Sequence, residues 1–140
     1  VLIDSGTTSL WVARELAQLR RLTIITNSLE VAAEALGRGD HRLFLAGGAM
    51  NIDYRATFDA EAVAYTRRFA PDVAILSMGA IEAERAFLDF EPEEAGYKRA
   101  VLDRARRVVV VADAVPIATE PVEIGANSSP RRCPSLTATR

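Results

Sequence analysis

Short apolar runs alternate with amphipathic stretches along most of this chain, and that alternation limits the fold more than any single residue does. Val1–Asp4, Leu22–Thr26, Arg42–Ala46, Asp72–Ser77 and Val108–Asp113 are strand-sized and mostly aliphatic, as strands covered on both faces are. Ser9–Leu19 carries apolar residues at helical spacing: Leu10, Val12, Ala13, Leu16 and Ala17. Asn27-Ser28 can cap a second helix, Leu29–Leu36, which stops at Gly37 and Gly39. Ala60–Phe69 reads as a third helix, broken by Pro71. A fourth begins at Pro92, with Glu93 and Glu94 facing the positive end of its dipole, and runs to about Arg106. Repeated strand–helix–strand units with short links predict an α/β fold, a parallel sheet with helices on both faces and right-handed crossovers. Met78–Glu91 reads as an irregular loop. Residues 118–140 hold several Pro, Ser and Thr with no sustained apolar period, which predicts a domain over 1–117 and a disordered or aberrant tail.

Composition removes several function classes. With 140 residues the chain has room for one core, and 49% hydrophobic residues against 26% charged ones fit a folded domain. No apolar run approaches the ~18 residues that cross a bilayer. Val1-Leu2-Ile3 runs into Asp4 with no basic region before it, unlike a signal peptide, so the expected location is the cytoplasm. One Cys, Cys133, forms no internal disulfide, and one His with one Cys falls short of a zinc ligand set. Neither a metal nor a cofactor is expected. A formal charge of −2 gives no global field toward nucleic acid. Arg67-Arg68 and Arg106-Arg107 lie near helix ends, where they complement the negative end of the dipole.

In an open parallel sheet, ligands bind at the carboxyl ends of the strands, and five such ends here carry small or polar residues. They are Asp4-Ser5-Gly6-Thr7-Thr8, Thr26-Asn27-Ser28, Gly47-Gly48, Ser77-Met78-Gly79 and Asp113. The first is the most informative. A strand, a Ser-Gly-Thr-Thr loop and then a helix offer free amides, hydroxyls and a positive dipole to one point, the ingredients of a phosphate site. The plainer alternative is that Thr7 or Thr8 caps the helix and Gly6 serves the turn. No Gly-Lys-Ser/Thr follows, so this is no P-loop, and the glycine spacing of a dinucleotide fingerprint is absent. Lys98, the single lysine, stands four residues after Glu94. An exposed helix-surface pair and a cation aimed at the strand ends both satisfy that spacing. Asp4 and Asp113 could bind ligand hydroxyls or cap turns. His41 reads as solvated, and Trp11 as core or an interface anchor. No catalytic residue is assigned. Asp89, Glu93 and Glu94 are candidate bases by type only, for a sugar-phosphate isomerase or deaminase as the alternative reading.

Taken in order, Ile3-Asp4-Ser5-Gly6-Thr7-Thr8, Leu22–Ser28, Leu45-Ala46-Gly47-Gly48, Gly79-Ala80-Ile81, Leu88-Asp89-Phe90, Glu93-Glu94-Ala95 through Lys98-Arg99-Ala100, and Val111-Ala112-Asp113 resemble the C-terminal sensor domain of DeoR-type transcription regulators. The resemblance covers about residues 1–117. It implies a Rossmann-like fold similar to ribose-5-phosphate isomerase and glucosamine-6-phosphate deaminase, and a sensor of a phosphorylated sugar or related intermediate rather than an enzyme. It implies a phosphate cradle over Ser5–Thr8 with Asp4 beside it. Asn27, Gly47, Gly48 and Gly79 would line the pocket, Glu94 and Lys98 would stand near its mouth, and Asp113 at its floor. It further implies a homo-oligomer, and DNA contact only through an N-terminal winged helix-turn-helix that these 140 residues do not contain. Ala114-Val115-Pro116-Ile117 replaces a Ser-Lys-Phe-Gly-like stretch, Asp59 stands where glycine is frequent, and the strand expected near the C-terminus is not recognisable.

Overall fold

A computed structural model describes residues 1–37, 40–78, 80–82, 86–89, 91–112 and 122–126, and for 80–82, 86–89 and 122–126 it defines the backbone path. Five parallel strands form the main sheet: β1 (Leu2–Ile3), β2 (Thr23–Thr26), β3 (Arg42–Leu45), β6 (Ala74–Ser77) and β9 (Val108–Val111). Between β3 and β6, β4 (Met50–Asn51) and β5 (Ala56–Thr57) form a small antiparallel pair. The helices are α1 (Thr7–Leu16), α2 (Leu29–Gly37), α3 (Ala60–Thr66) and α4 (Pro92–Leu102). The parallel α/β expectation therefore holds, with ends trimmed: α1 starts two residues earlier and stops three earlier, and α3 and α4 finish before Phe69 and Arg106.

Spatial order across the sheet is β3-β2-β1-β6-β9. Ile3 is level with Thr26 on one side and Ile75 on the other. The chain steps outward from β1 to β2 and β3, then returns to place β6 on β1's free side. The order reverses there, so the crevice beyond the carboxyl ends of β1 and β6 is the switch point where such sheets bind ligands.

The two-residue side-chain period of the strands sorts the core into two layers. Leu2, Ile25, Ala74 and Leu76 point to one face and pack with Ala62 of α3 and Ala95, Tyr97 and Val101 of α4. Ile3, Ile24 and Ile75 point to the other, against Ala13 of α1 and Val31 and Ala35 of α2. Each wholly buried aliphatic side chain stabilises by about 1.5–3 kcal/mol, so the central strands anchor both layers. Tyr97, also wholly buried, satisfies its hydroxyl with Thr66 Oγ1 at 3.0 Å. Burial pushes the Tyr97 phenol well above its usual range, so it stays neutral.

Four sequence readings change. Met78–Glu91 is not wholly irregular: β7 (Ala80–Glu82) and β8 (Ala86–Asp89) pair antiparallel. Nor is the tail irregular throughout, because Val122–Ala126 forms β10, which pairs antiparallel with β8 and extends ordered structure past residue 117. Strands of three to five residues show too little periodicity to be read, and their pairing brings together segments some thirty residues apart. His41 is half-buried rather than solvated: its Nδ1 accepts from the Leu22 amide at 3.2 Å and its Nε2 faces Ala17 O at 3.3 Å. Trp11 is no core residue; it is 65% exposed, with the Arg14 guanidinium 4.9 Å over its ring. No described helix is long and apolar enough to cross a membrane.

Candidate functional site

The carboxyl end of β1 turns sharply into α1, and the turn is built around Gly6. Its φ of 121° lies where side chains are disfavoured, and a Cβ there would stand 2.5 Å from Ser77 Oγ. Glycine thus serves both the backbone conformation and the close approach of this loop to β6. Ser77 Oγ donates to Ser5 O at 2.6 Å and fastens the loop to the neighbouring strand end.

Gly6 is also the residue at which α1 begins, and it supplies no side-chain cap. The reading in which Thr7 or Thr8 caps the helix is not what forms: both belong to its first turn. The leading amides of a helix have no intrahelical partner, and they carry roughly half a positive charge at the N-terminus. An anion is the natural complement. Ser5 Oγ, wholly buried beside this turn, has no hydrogen-bond partner.

Asp4 lies directly beneath. It is wholly buried, and both carboxylate oxygens accept from the Ser77 amide, at 3.0 and 2.9 Å. Ser9 Oγ also donates to Oδ1, and the Lys98 ammonium stands 3.4 Å from Oδ2. Burial pushes the Asp4 carboxyl up to about 6, against the opposing pull of Lys98 and these hydrogen bonds. With its oxygens so engaged, Asp4 orients the strand ends and the first turn of α1.

Lys98 is 1% exposed. Its Nζ donates to Glu94 Oε1 at 2.7 Å and to Ser77 O at 2.5 Å. The exposed surface pair is thereby excluded: the cation is enclosed between α4 and the ends of β1 and β6. Among the described residues its charge serves two buried carboxylates, Asp4 and Glu94. Removing one member of such a set is costly, because it strands charges that water cannot reach.

Asn27 closes the adjoining strand end. It is wholly buried, its Nδ2 donates to Thr57 O at 2.8 Å, and its Oδ1 has no partner. The following helix takes its cap from Ser28, whose Oγ accepts from the Val31 amide at 3.3 Å. Gly47 and Gly48, two strands from β1, are exposed, and Gly48 has φ 125°. Asp59 approaches them: its Oδ2 accepts from the Ala49 amide at 2.8 Å and its Oδ1 from Ala62 at 3.0 Å, capping α3. Those amide bonds hold the Asp59 carboxyl below its ordinary range. A side chain on Gly48 would strike that carboxylate.

Of the residues expected to form the site, Asp4–Thr8, Asn27, Glu94 and Lys98 fall around the ends of β1, β2 and β6, while Gly47 and Gly48 border it. Gly79 and Asp113 lie outside the described residues. Ser77 and Ser9 are the wiring that the sequence left unassigned. Ser77 was recognisable as a polar strand end, but only the sheet order sets it beside Asp4. Among the described residues no group of three His, Cys, Asp or Glu is arranged to hold a metal.

Comparison with known proteins identifies the family. The DeoR C-terminal sensor domain family matches residues 1–119. The transcriptional repressor AccR of Agrobacterium fabrum is 36% identical over 115 residues, covering 81% of this chain and 44% of that protein. The glycerol-3-phosphate regulon repressor of Escherichia coli is 32% identical over 111 residues, 79% of this chain and 44% of the relative. The HTH-type transcriptional repressor CsqR of Escherichia coli is 32% identical over 126 residues, 89% and 48% respectively. The chain spans less than half the length of these relatives. Its match over residues 1–119 makes it a member of the DeoR family, corresponding to that family's C-terminal sensor domain.

Proposed function

We propose that this chain is the effector-binding domain of a DeoR-type repressor of carbohydrate metabolism, and that its effector is a phosphorylated sugar or a similar small intermediate. One observation carries the reading: α1 opens on amides with no side-chain cap, beside a buried Ser5 hydroxyl that lacks a partner. The effector's phosphate docks on the amides of the Gly6–Ser9 turn. Asn27 Oδ1, a buried acceptor with nothing to accept from, suits a hydroxyl of the carbon skeleton. Asp4, Ser77, Lys98 and Glu94 hold the ends of β1 and β6 at a fixed spacing beneath. One of the similar proteins is a glycerol-3-phosphate regulon repressor, which supports a phosphorylated effector of modest size.

In the longer protein, sequence-specific DNA recognition belongs to a helix-turn-helix segment, the protein works as a homo-oligomer, and its place is the cytoplasm. The domain senses rather than catalyses. Glu94, one candidate base, is engaged by Lys98, and Glu93 is exposed on the first turn of α4. Thermal unfolding against a panel of sugar phosphates, triose phosphates and glycerol phosphate tests the proposal. A binding compound raises Tm in step with RT ln(1 + [L]/Kd), about 2.7 kcal/mol at a hundredfold excess over Kd. No response at millimolar ligand from any compound would refute it. Turnover of ribose 5-phosphate or glucosamine 6-phosphate would favour the enzyme reading instead.

A further inference from the structure

The opposite end of the sheet carries a different chemistry. In a parallel α/β fold every link from a helix to the next strand lies at the amino ends of the strands. The arginines of this chain gather there: Arg20 and Arg21 before β2, Arg42 opening β3, Arg67 and Arg68 before β6, and Arg104, Arg106 and Arg107 before β9. All eight are exposed, and the described acids among them are Asp40, Asp72 and Asp103. Eight positive charges against three negative ones leave an excess of five at this end, in a chain whose overall formal charge is −2.

Helix dipoles account for Arg67 and Arg68 at the end of α3 but not for the rest of the cluster. Their influence fades within the last turn, and the last turns of α1 and α4 already hold Arg14 and Arg99. Arg20, Arg21, Arg104, Arg106 and Arg107 lie beyond the helix ends. Nor do ion pairs consume them. Arg21–Asp40 and Arg106–Asp72 are solvent-exposed pairs, which contribute little and are screened by salt. Arg20, Arg67 and Arg107 make no ion pair among the described residues.

We propose that this amino end is a docking surface for the phosphate backbone of duplex DNA. The inference rests on the repressor reading, which puts the domain beside DNA. A small anion would need converging, enclosed donors, and these side chains are all exposed and spread from β3 to β9. Four strand spacings span about 19 Å. Over that length duplex DNA presents roughly eleven phosphates, at one charge per ~1.7 Å of axis. The surface reads no base sequence. It adds a salt-dependent attraction to the recognition made elsewhere in the protein, and it lies at the end of the sheet away from the effector.

The test is fluorescence anisotropy of a labelled short duplex of arbitrary sequence titrated with this chain between about 50 and 200 mM salt. The expected result is weak binding that falls steeply with salt. Arg67→Gln/Arg68→Gln/Arg107→Gln should lower the affinity at least tenfold at the lowest salt and reduce the salt slope by about 3, one per phosphate contact removed. A single Arg107→Gln variant should show about a third of that change in slope, and it reports on the surface should the triple variant fold poorly. No anisotropy change at the lowest salt would overturn the proposal. So would an unchanged slope in folded variants, or equally tight binding to phosphatidylcholine–phosphatidylserine vesicles. Effector-induced thermal shifts, measured on the same proteins, report on the sensor reading separately and should be unchanged by these substitutions.

Discussion

Replacing Lys98 with methionine tests the wiring beneath the site. The substitution keeps most of the aliphatic stem and deletes the ammonium that holds Asp4 and Glu94, carboxylates that are 0% and 3% exposed. Breaking a buried ion pair by removing one partner costs about 3–5 kcal/mol. For a chain of this size that corresponds to a fall in Tm of roughly 12–20 °C, at about 4 °C per kcal/mol. The pH dependence distinguishes stranded charge from lost packing. An acid whose folded-state pKa is raised binds its proton more tightly when folded, so its contribution to stability is greatest in acid and is lost as pH rises through the folded value. In the native protein Asp4 titrates near 6 against an ordinary 3.8, so stability should decline between about pH 4 and pH 6, by roughly 3 kcal/mol from this group alone. Without Lys98 the Asp4 carboxyl should move further upward. The gap between variant and native Tm should then narrow as the buffer is taken from about pH 8 to about pH 5. Circular dichroism melts across that range provide the assay. A Tm loss under about 4 °C, or a loss independent of pH, would refute the buried arrangement of Lys98.

Other substitutions separate binding from stability. Ser5→Ala removes a buried hydroxyl that has no partner, so it should leave stability within about 1 kcal/mol of native or raise it, while weakening effector binding. Gly6→Ala forces a side chain into an extended positive-φ conformation that is open essentially to glycine alone, and against Ser77 Oγ; a loss of about 2–4 kcal/mol should appear in denaturant unfolding. Tyr97→Phe strands the buried Thr66 hydroxyl and should cost about 1–2 kcal/mol in the same assay. Asp59→Ala should lower Tm and free the Gly47–Ala49 segment from α3, visible as faster amide exchange at Ala49 and Ala62. Because the Asp59 carboxyl is held below its ordinary range, its stabilisation is present near neutral pH and fades as pH falls through its lowered folded value.

Elements with a long or strongly marked pattern were legible in the sequence. The five parallel strands and four helices follow from aliphatic runs and the 3.6-residue period, and the loop from β1 to α1 from Gly6 between hydroxyl residues. What escaped depended on partners distant in the chain. Glu94 and Lys98 have the spacing of an exposed pair, and only the packing of α4 over the ends of β1 and β6 encloses them with Asp4. Ser77 gained its role from strand order, being 73 residues from Asp4 and adjacent in space. The hairpin of β7 and β8 and its addition β10 were hidden because short strands among charged residues carry no clear period. Asp59 shows a further limit: its residue type suited a helix cap, but its grip on Ala49 required the fold of the intervening hairpin.

The most direct measurement is an amide chemical-shift titration of the isotopically labelled chain with a responding phosphosugar. Docking of a phosphate on the start of α1 should give the largest shifts at Gly6, Thr7, Thr8 and Ser9, with smaller changes at Asn27 and Ser77. If those amides stay still while another region responds, the anion binds elsewhere and the reading of the β1–α1 turn is wrong.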